Sequence, residues 1–334
     1  MNTTLLGIKN AVKRELLVHG IIQNDPLTMN IFTTDRCNFS CFYCSRNILD
    51  ESPDSEYRYD DKSEFHIEDL YLLLDKYPSI RTVSFVGIGE PFLIRDLIPM
   101  AELAKSRGKQ TTVISNGSRL HRYWGNIGRL FDDISISLHG LTSLELFQIA
   151  KVKENVFNQF IENVRYLTQV EGRRFPNLRI HATVVFLKQN LKRLREAAEF
   201  CFQNSIPELD MHNYLSLGPD ARQNVVFDDE TEYINFADKL VDEYKGRVKI
   251  NTPVWIKRND KDLKWGCTTF FRYLRVDGLG QVSGCGRIMP PDSANGNFRE
   301  EMDVFQNHYF KDMRERFRTG KNIPACCRFC PDAK

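Results

Sequence analysis

Three cysteines close together constrain this chain more than any other feature of its sequence. Cys37, Cys41 and Cys44 form a C-x3-C-x2-C array inside the stretch Asp35–Ser45. Thiolates clustered this tightly are suited to ligate an iron–sulfur centre. Three ligands for a cluster of four irons leave one iron without a protein thiolate, and an open metal position is where a reactant binds. The array therefore predicts a cluster that takes part in chemistry.

A second group of cysteines lies near the C-terminus. Cys267, Cys285, Cys327 and Cys330 could supply all four thiolates of another [4Fe–4S] cluster, although a structural zinc ion accepts four thiolates equally well. Cys326 could replace Cys327 as a ligand or act as a hydrogen-atom donor.

The chain has nine cysteines in 334 residues, and only Cys201 stands apart from both groups. It is flanked by phenylalanines and is expected to be a buried, inert thiol. A disulfide framework is not expected in a chain long enough to build its own core, so the clustering favours metal binding.

The composition is that of an ordinary globular protein, with 42% hydrophobic and 27% charged residues. The 46 basic and 44 acidic residues nearly balance, which argues against a general nucleic-acid or acidic-membrane partner. No apolar run is long enough to span a bilayer, and the N-terminus lacks a signal-peptide cleavage site. A cytoplasmic location is the default expectation.

The pattern of apolar runs predicts an α/β fold. Six short β-rich segments between residues 27 and 214 alternate with helical segments, which indicates a parallel sheet with outer helices, curled as a partial (β/α)6 TIM-like barrel. A β-hairpin is predicted over 273–283, within a small C-terminal α+β module. The predicted domains are a helical extension (1–27), the barrel (28–215), a linker (216–262) and the C-terminal module (263–334).

Polar residues follow three of the predicted strands. Gly87-Ile-Gly-Glu-Pro91 follows the second strand, Ser115-Asn116 the third and Ser137 the fourth. The carboxyl ends of parallel strands form the site in α/β folds. Glycine lets the backbone approach a ligand closely, and hydroxyl or amide groups bond a ligand without adding charge. Nearby His139 could be a substrate contact, a proton donor or a structural residue.

Together, the cysteine array, the aromatic residue before its third cysteine and the Gly-Ile-Gly-Glu-Pro turn resemble the signature of the radical S-adenosylmethionine (SAM) enzymes. The resemblance covers about residues 28–331, with Ile88 where the family has a second glycine. It implies a [4Fe–4S] cluster on the first three cysteines whose open iron chelates SAM. One electron then cleaves SAM to a 5′-deoxyadenosyl radical, which abstracts a substrate hydrogen. The SAM-binding residues that it implies are Tyr43, Gly87, Gly89, Glu90, Pro91, Ser115, Asn116 and Ser137.

The second cysteine group is similar to the SPASM family, in particular to its C-terminal half, the twitch domain. The resemblance implies one auxiliary [4Fe–4S] cluster on Cys267, Cys285, Cys327 and Cys330. A cluster with four thiolates has natural roles in passing electrons and shaping the substrate pocket. It can take up the electron that remains after hydrogen abstraction and deprotonation, which favours a net oxidation.

The expected function is a radical SAM oxidoreductase that oxidises or rearranges a small natural-product intermediate, with a flavodoxin- or ferredoxin-type reductant. The short stretch before the barrel favours a small molecule over a peptide, but a peptide maturase or epimerase stays open. The GTP cyclase of molybdenum-cofactor synthesis is similar in length, yet its second cluster uses three cysteines. A non-catalytic electron carrier or zinc-stapled binding protein is the alternative from another class.

Overall fold

The computed structural model describes residues 25–44, 46, 63–186, 188, 191–214, 225–258, 267–286, 295–324, 327 and 330. The helix predicted for residues 1–26 lies almost entirely outside the described residues, and so does Cys326. Within the described ranges, no helix combines the length and the apolar character that are needed to cross a membrane.

Strands and helices alternate along the described chain. The strands are β1 (Thr28–Phe32), β2 (Thr82–Val86), β3 (Gln110–Ser115), β4 (Asp133–Ser137), β5 (Arg179–Phe186), β6 (Glu208–Asn213), β7 (Lys249–Asn251), β8 (Tyr273–Asp277) and β9 (Val282–Ser283). The helices are α1 (Ile67–Lys76), α2 (Leu97–Ser106), α3 (Ile127–Leu130), α4 (Ser143–Ala150), α5 (Glu154–Tyr166), α6 (Leu191–Gln203), α7 (Thr231–Glu243) and α8 (His308–Thr319). A π-helical segment, Leu167–Glu171, and a short turn, Gly172–Arg174, extend α5.

All nine strands form one sheet in the order β7-β6-β5-β4-β3-β2-β1-β8-β9. Every pairing is parallel except the β8–β9 hairpin. The predicted α/β class, its six parallel strands between residues 27 and 214 and the hairpin over 273–283 are confirmed. The predicted six-stranded barrel is extended at both edges, by β7 on one side and by β8 on the other.

The two faces of the sheet have different chemistry because successive residues of a strand point to opposite sides. One face packs against the helices in the main core, to which β1 contributes Met29 and Ile31. The other face is polar in the middle of the strands. Asn30, Ser84 and Thr112 are half-buried neighbours across three strands, and the Thr112 and Ser84 hydroxyl oxygens are 2.8 Å apart. At the carboxyl ends of the same strands this face carries apolar residues.

Part of the stretch that was expected to be a linker belongs to the sheet. Helix α7 and strand β7 lie within residues 216–262, and β7 pairs with β6 in parallel. Strand β8 pairs with β1 in register, so the C-terminal part continues the same sheet rather than forming a separate one.

Candidate functional site

The cysteine loop follows β1 and is fixed against helix α4. The Ser40 amide donates to the Ala150 carbonyl at 3.0 Å, and the Phe42 amide donates to the Ile149 carbonyl at 3.1 Å. Phe39 is buried in a small cluster with Leu146 of α4. These contacts hold the backbone that carries Cys37, Cys41 and Cys44.

The Gly-Ile-Gly-Glu-Pro turn is joined to the start of the same loop. The Gly89 amide donates to the Thr34 carbonyl at 3.1 Å, and the Glu90 amide to the Arg36 carbonyl at 2.9 Å. A Cβ atom at Gly89 would stand only 2.3 Å from the Arg36 carbonyl oxygen and 2.4 Å from that of Thr34. Glycine is therefore required here by the approach of the protein's own backbone, and a direct contact of Gly87 or Gly89 with SAM stays a prediction.

Glu90 connects the carboxyl ends of β2 and β3. Its Oε1 atom accepts hydrogen bonds from the Phe92 amide at 3.1 Å and the Ser115 hydroxyl at 2.8 Å, and its Oε2 atom accepts one from the Asn116 amide at 2.7 Å. Burial raises the pKa of Glu90 to about 7, and these three hydrogen bonds limit the rise. The carboxylate thus has a structural role that sequence reasoning missed, beside its predicted contact with the SAM amino group.

The Asn116 side chain extends this network to the first cysteine. Its Nδ2 group donates to Asn38 Oδ1 at 3.0 Å and lies 4.0 Å from the Sγ atom of Cys37. Its Oδ1 atom accepts from the Ser118 amide and hydroxyl, and Asn38 donates to that hydroxyl at 2.9 Å. Asn38 and Ser118 carry no motif of their own, so only the folded chain shows that they belong to the site.

These segments line one open cleft. The predicted residues that line it are Cys37, Cys41, Cys44, Tyr43, Gly87, Gly89, Glu90, Ser115, Asn116 and Ser137. Pro91 is buried at the start of the turn Pro91–Leu93, and its contact with SAM stays a prediction.

Two thiols of the first group, those of Cys37 and Cys41, are poor anions as they stand. Burial raises the pKa of Cys37 to about 11, and the Glu90 carboxylate and the Cys44 thiolate add to this rise against the Phe39 amide. Burial and the two other thiolates raise the pKa of Cys41 to about 12. Three thiolates can therefore coexist here only with a strongly positive ligand between them, and iron supplies that charge. The donor set fits a [4Fe–4S] cluster.

The aromatic residue before the third cysteine is held by a histidine across the cleft. The Tyr43 hydroxyl oxygen is 2.7 Å from Nδ1 of His139, which lines the cleft together with Ser137. Burial, with the Arg193 guanidinium as a smaller cause, lowers the pKa of His139 to about 4, so the imidazole is neutral at physiological pH. Burial also raises the pKa of Tyr43 well above its usual range.

In the second cysteine group, Cys267, Cys285 and Cys327 pack against the main core. The Thr269 amide lies 3.5 Å from the Sγ atom of Cys267, just as the Phe39 amide lies 3.4 Å from that of Cys37. Hydrogen bonds from amides to the sulfur atoms of an iron–sulfur cluster change the reduction potential of the cluster. The Cys330 amide donates to the Cys327 carbonyl at 3.2 Å.

Among the residues whose positions are described, no three His, Cys, Asp or Glu side chains stand close enough to share a single metal ion.

A sequence model of the radical SAM superfamily matches residues 31–201, just over half of the chain. The chain therefore belongs to the radical SAM superfamily, as its motifs predict. The match covers the cysteine array and all of the lining segments described above.

Two curated relatives are each 26% identical to this chain over the aligned part of their length. The tungsten-containing aldehyde ferredoxin oxidoreductase cofactor-modifying protein of Pyrococcus furiosus is 26% identical over 216 residues, 60% of this chain and 56% of that protein. The probable GTP 3′,8-cyclase of Sulfolobus acidocaldarius is 26% identical over 185 residues, 55% and 54% of the two chains. The chain thus spans about half the length of the curated relatives that it matches.

The fold is similar to that of SuiB from Streptococcus suis, solved in complex with the precursor peptide SuiA. The TM-score is 0.66 at 16% identity, over 99% of this chain and 75% of SuiB. This likeness confirms the predicted partial-barrel fold.

Proposed function

We propose that this protein is a radical SAM enzyme that forms a 5′-deoxyadenosyl radical and removes a hydrogen atom from its substrate. The observation that carries the proposal is the single cleft where Cys37, Cys41 and Cys44 meet the braced ends of β2, β3 and β4. When bound, the cluster would supply the electron that cleaves SAM.

The residues of the chain would bind and orient this cofactor pair. The three thiolates would hold the cluster, and Glu90 fixes the two strand ends that face it through its three hydrogen bonds. Because these groups are already bonded to one another, little side-chain freedom remains to be lost when SAM binds.

We further propose an auxiliary [4Fe–4S] cluster on Cys267, Cys285, Cys327 and Cys330, within a twitch-type segment. Three of these thiols pack on the same core, and the amide two residues after Cys267 contacts its sulfur, as the amide two residues after Cys37 does. Such a cluster would accept the second electron of a net oxidation, with electrons entering at the first cluster from a flavodoxin- or ferredoxin-type protein.

The polar middle of this face of the sheet supports a small hydrophilic substrate. Hydroxyl and amide groups are neighbours across β1, β2 and β3, and on β4 and β5 the Ser135 and Thr183 hydroxyl oxygens are 2.5 Å apart. These groups suit a substrate rich in hydrogen-bonding groups better than an apolar one. The second candidate is a peptide, which the likeness to the peptide-bound SuiB structure favours.

The test compares cysteine variants after anaerobic reconstitution, with iron content and 5′-deoxyadenosine as readouts. The wild type should hold about eight irons and form 5′-deoxyadenosine, as expected for two four-iron clusters. Cys41→Ala should lose SAM cleavage. Cys285→Ala should lose the auxiliary cluster but keep some SAM cleavage, which no longer leads to product.

The matched control is Cys201→Ala, because Cys201 is a buried core thiol and burial raises its pKa far above its usual range. This variant should keep the wild-type iron count. A wild-type protein that contains zinc instead of iron and does not cleave SAM would contradict the proposed enzyme and favour the non-catalytic alternative. If Cys285→Ala lost SAM cleavage and Cys41→Ala kept it, the assignment of the two cysteine groups would be overturned.

The substrate class is tested by the rise in 5′-deoxyadenosine when candidates are added to the reconstituted enzyme. A rise with hydrophilic metabolites and none with precursor peptides would support the small-molecule proposal. The reverse result would establish the peptide alternative.

A further inference from the structure

We propose that His139 is a positioning residue for SAM. Through the Tyr43 hydroxyl, it holds the aromatic ring of the cysteine loop in the conformation that SAM requires. This inference rests on the proposed function, because it concerns the same cleft. It assigns a role to a histidine that the sequence left open between three alternatives.

The contact joins two walls of the cleft that are far apart in sequence. Tyr43 lies on the cysteine loop and His139 follows β4, and their hydroxyl oxygen and Nδ1 atoms are 2.7 Å apart. The two ring centroids are 6.0 Å apart, and the edge of the Phe39 ring packs on His139 with centroids at 5.9 Å. The histidine therefore contacts the loop on both sides of Cys41.

The low pKa of His139 keeps the imidazole neutral, so that one ring nitrogen can accept a hydrogen bond from the Tyr43 hydroxyl. We assign the tautomer with the proton on Nε2, so that the phenol donates to Nδ1. A neutral imidazole is a poor general acid at pH 7, which argues against the proton-donor alternative.

The backbone that presents His139 is itself braced. The Arg193 guanidinium of α6 donates to the Leu138 carbonyl at 3.2 Å and also to the His139 carbonyl. The same guanidinium pairs with the Glu145 carboxylate of α4, whose other oxygen accepts from the Leu141 amide at 2.6 Å. These contacts fix the backbone of His139, and its side chain can therefore orient the ring of Tyr43.

Two different attachments hold the loop, and they predict different losses. The backbone bonds of Ser40 and Phe42 to α4 fix the path of the loop, so they maintain the placement of the thiols. The Tyr43–His139 bond fixes a ring in the SAM cleft. Loss of this bond should therefore weaken SAM binding and leave cluster assembly intact.

The test measures SAM affinity of the reconstituted enzyme by equilibrium dialysis, with iron content measured in parallel. Tyr43→Phe and His139→Leu should each weaken SAM binding roughly 3- to 10-fold, the value of one net hydrogen bond, at unchanged iron content. The double variant should be no weaker than either single variant, since both remove the same bond. His139→Asn, which can place an amide group near the Nδ1 position, should restore affinity to within about twofold of wild type.

The matched control is Tyr166→Phe, a tyrosine of α5 that stacks on Trp124 outside the cleft, with ring centroids 4.3 Å apart. It should leave SAM affinity unchanged. Additive losses in the double variant, or equal losses in His139→Asn and His139→Leu, would overturn the inference.

A second readout needs neither cluster nor SAM. In the apoprotein, Tyr43→Phe and His139→Leu should speed hydrogen exchange of the Cys44 amide, which donates to the Cys41 carbonyl at 3.0 Å, while the amides of Ser40 and Phe42 stay as protected as in wild type. Unchanged exchange at all three amides would contradict the inference even if the enzyme cleaves SAM. If the wild type failed to cleave SAM, the proposed function would fall, while the exchange data would still decide whether His139 positions Tyr43.

Discussion

Two histidines of this protein have opposite electrostatic environments, and each environment suits its place in the sheet. At the carboxyl end of β4, burial beside Arg193 keeps His139 neutral. At the opposite end of the sheet, Nε2 of His181 is 2.9 Å from Asp133 and its Nδ1 is 2.6 Å from Asp210. Burial alone would lower the pKa of His181, but the two carboxylates outweigh it and raise the pKa to about 9. His181 is thus a charged clamp between β4 and β6.

The charged groups around His181 balance one another. Besides Asp133 of β4 and Asp210 of β6, the clamp includes Arg179 on β5, Glu208 on β6 and Lys249 on β7. The hydrogen bond from Arg179, aided by Lys249 and opposed by burial, lowers the pKa of Glu208 to about 2.

The clamp predicts a loss of stability at alkaline pH. A base whose pKa is raised on folding adds stability that is complete below its unfolded value, about 6.5 for histidine, and that is lost as pH rises through the folded value of about 9. The wild-type apoprotein should therefore be more stable than His181→Gln at pH 6, and this advantage should shrink by pH 10. The difference between their free energies of unfolding should be about 1–3 kcal/mol larger at pH 6 than at pH 10.

Urea unfolding of both proteins from pH 6 to pH 10 measures this difference, and the comparison cancels the titration of the cysteine thiols. A difference that stays constant over this range would show that His181 is not charged in the folded state.

Helix α5 shows how one element positions the site from outside it. The buried Asn163 side chain donates to the Gly117 carbonyl at 2.8 Å, directly after the Ser115-Asn116 pair. Gly117 has φ +76°, and a Cβ there would stand 2.9 Å from the ring of buried Phe160. The helix therefore determines the shape of the turn that carries two of the cleft residues.

Gly117→Ala should lower the free energy of unfolding by about 2–4 kcal/mol, since left-handed strain is added to a clash with a buried ring. Gly108→Ala is the matched control, because Gly108 has φ +68° but no atom within 4 Å of the added methyl group. It carries the strain alone and should cost about 1 kcal/mol. Thermal unfolding of the two variants would contradict this account if their midpoints fell equally.

On the scale of the whole molecule, the C-terminal residues are built into the barrel. Strand β8 covers the edge of β1, and helix α1 contacts residues 298–301, which lie between Cys285 and Cys327. Arg299 forms a two-point ion pair with Asp69 of α1 at 2.9 and 2.6 Å, and Lys76 donates to the Glu301 carbonyl at 2.7 Å. The parts of the chain that carry the two cysteine groups are thus held by shared contacts.

Tyr77→Phe tests this integration. The Tyr77 hydroxyl donates to Asp303 at 3.0 Å and accepts from the Phe305 amide at 3.2 Å, so its removal leaves a buried amide without that partner. The expected loss is about 1–3 kcal/mol of unfolding free energy. The control Tyr71→Phe, at a side chain 46% exposed on α1, should stay within about 0.5 kcal/mol of wild type. Equal stabilities of the two variants in urea would contradict a shared C-terminal contact.

Local patterns predicted most of the fold. The apolar runs predicted the six strands β1 to β6, because a strand buried on one face needs branched apolar side chains at alternate positions. Strand β7 was missed because it is only three residues long and lies in a polar region. The β8–β9 hairpin was predicted, but the parallel pairing of β8 with β1 was not. That pairing depends on contacts between residues some 245 positions apart, such as Thr28 with Tyr273.

By itself, the sequence determined which residues can ligate metal and that a parallel sheet presents them, since thiol spacing and apolar periodicity are local properties of the chain. Only the tertiary structure decided how the polar residues are used. Glu90 holds two strand ends, Gly89 makes room for the backbone of the cysteine loop, and His139 bonds Tyr43. These roles depend on atoms that are distant in sequence and meet only when the sheet has formed, so no local pattern could contain them.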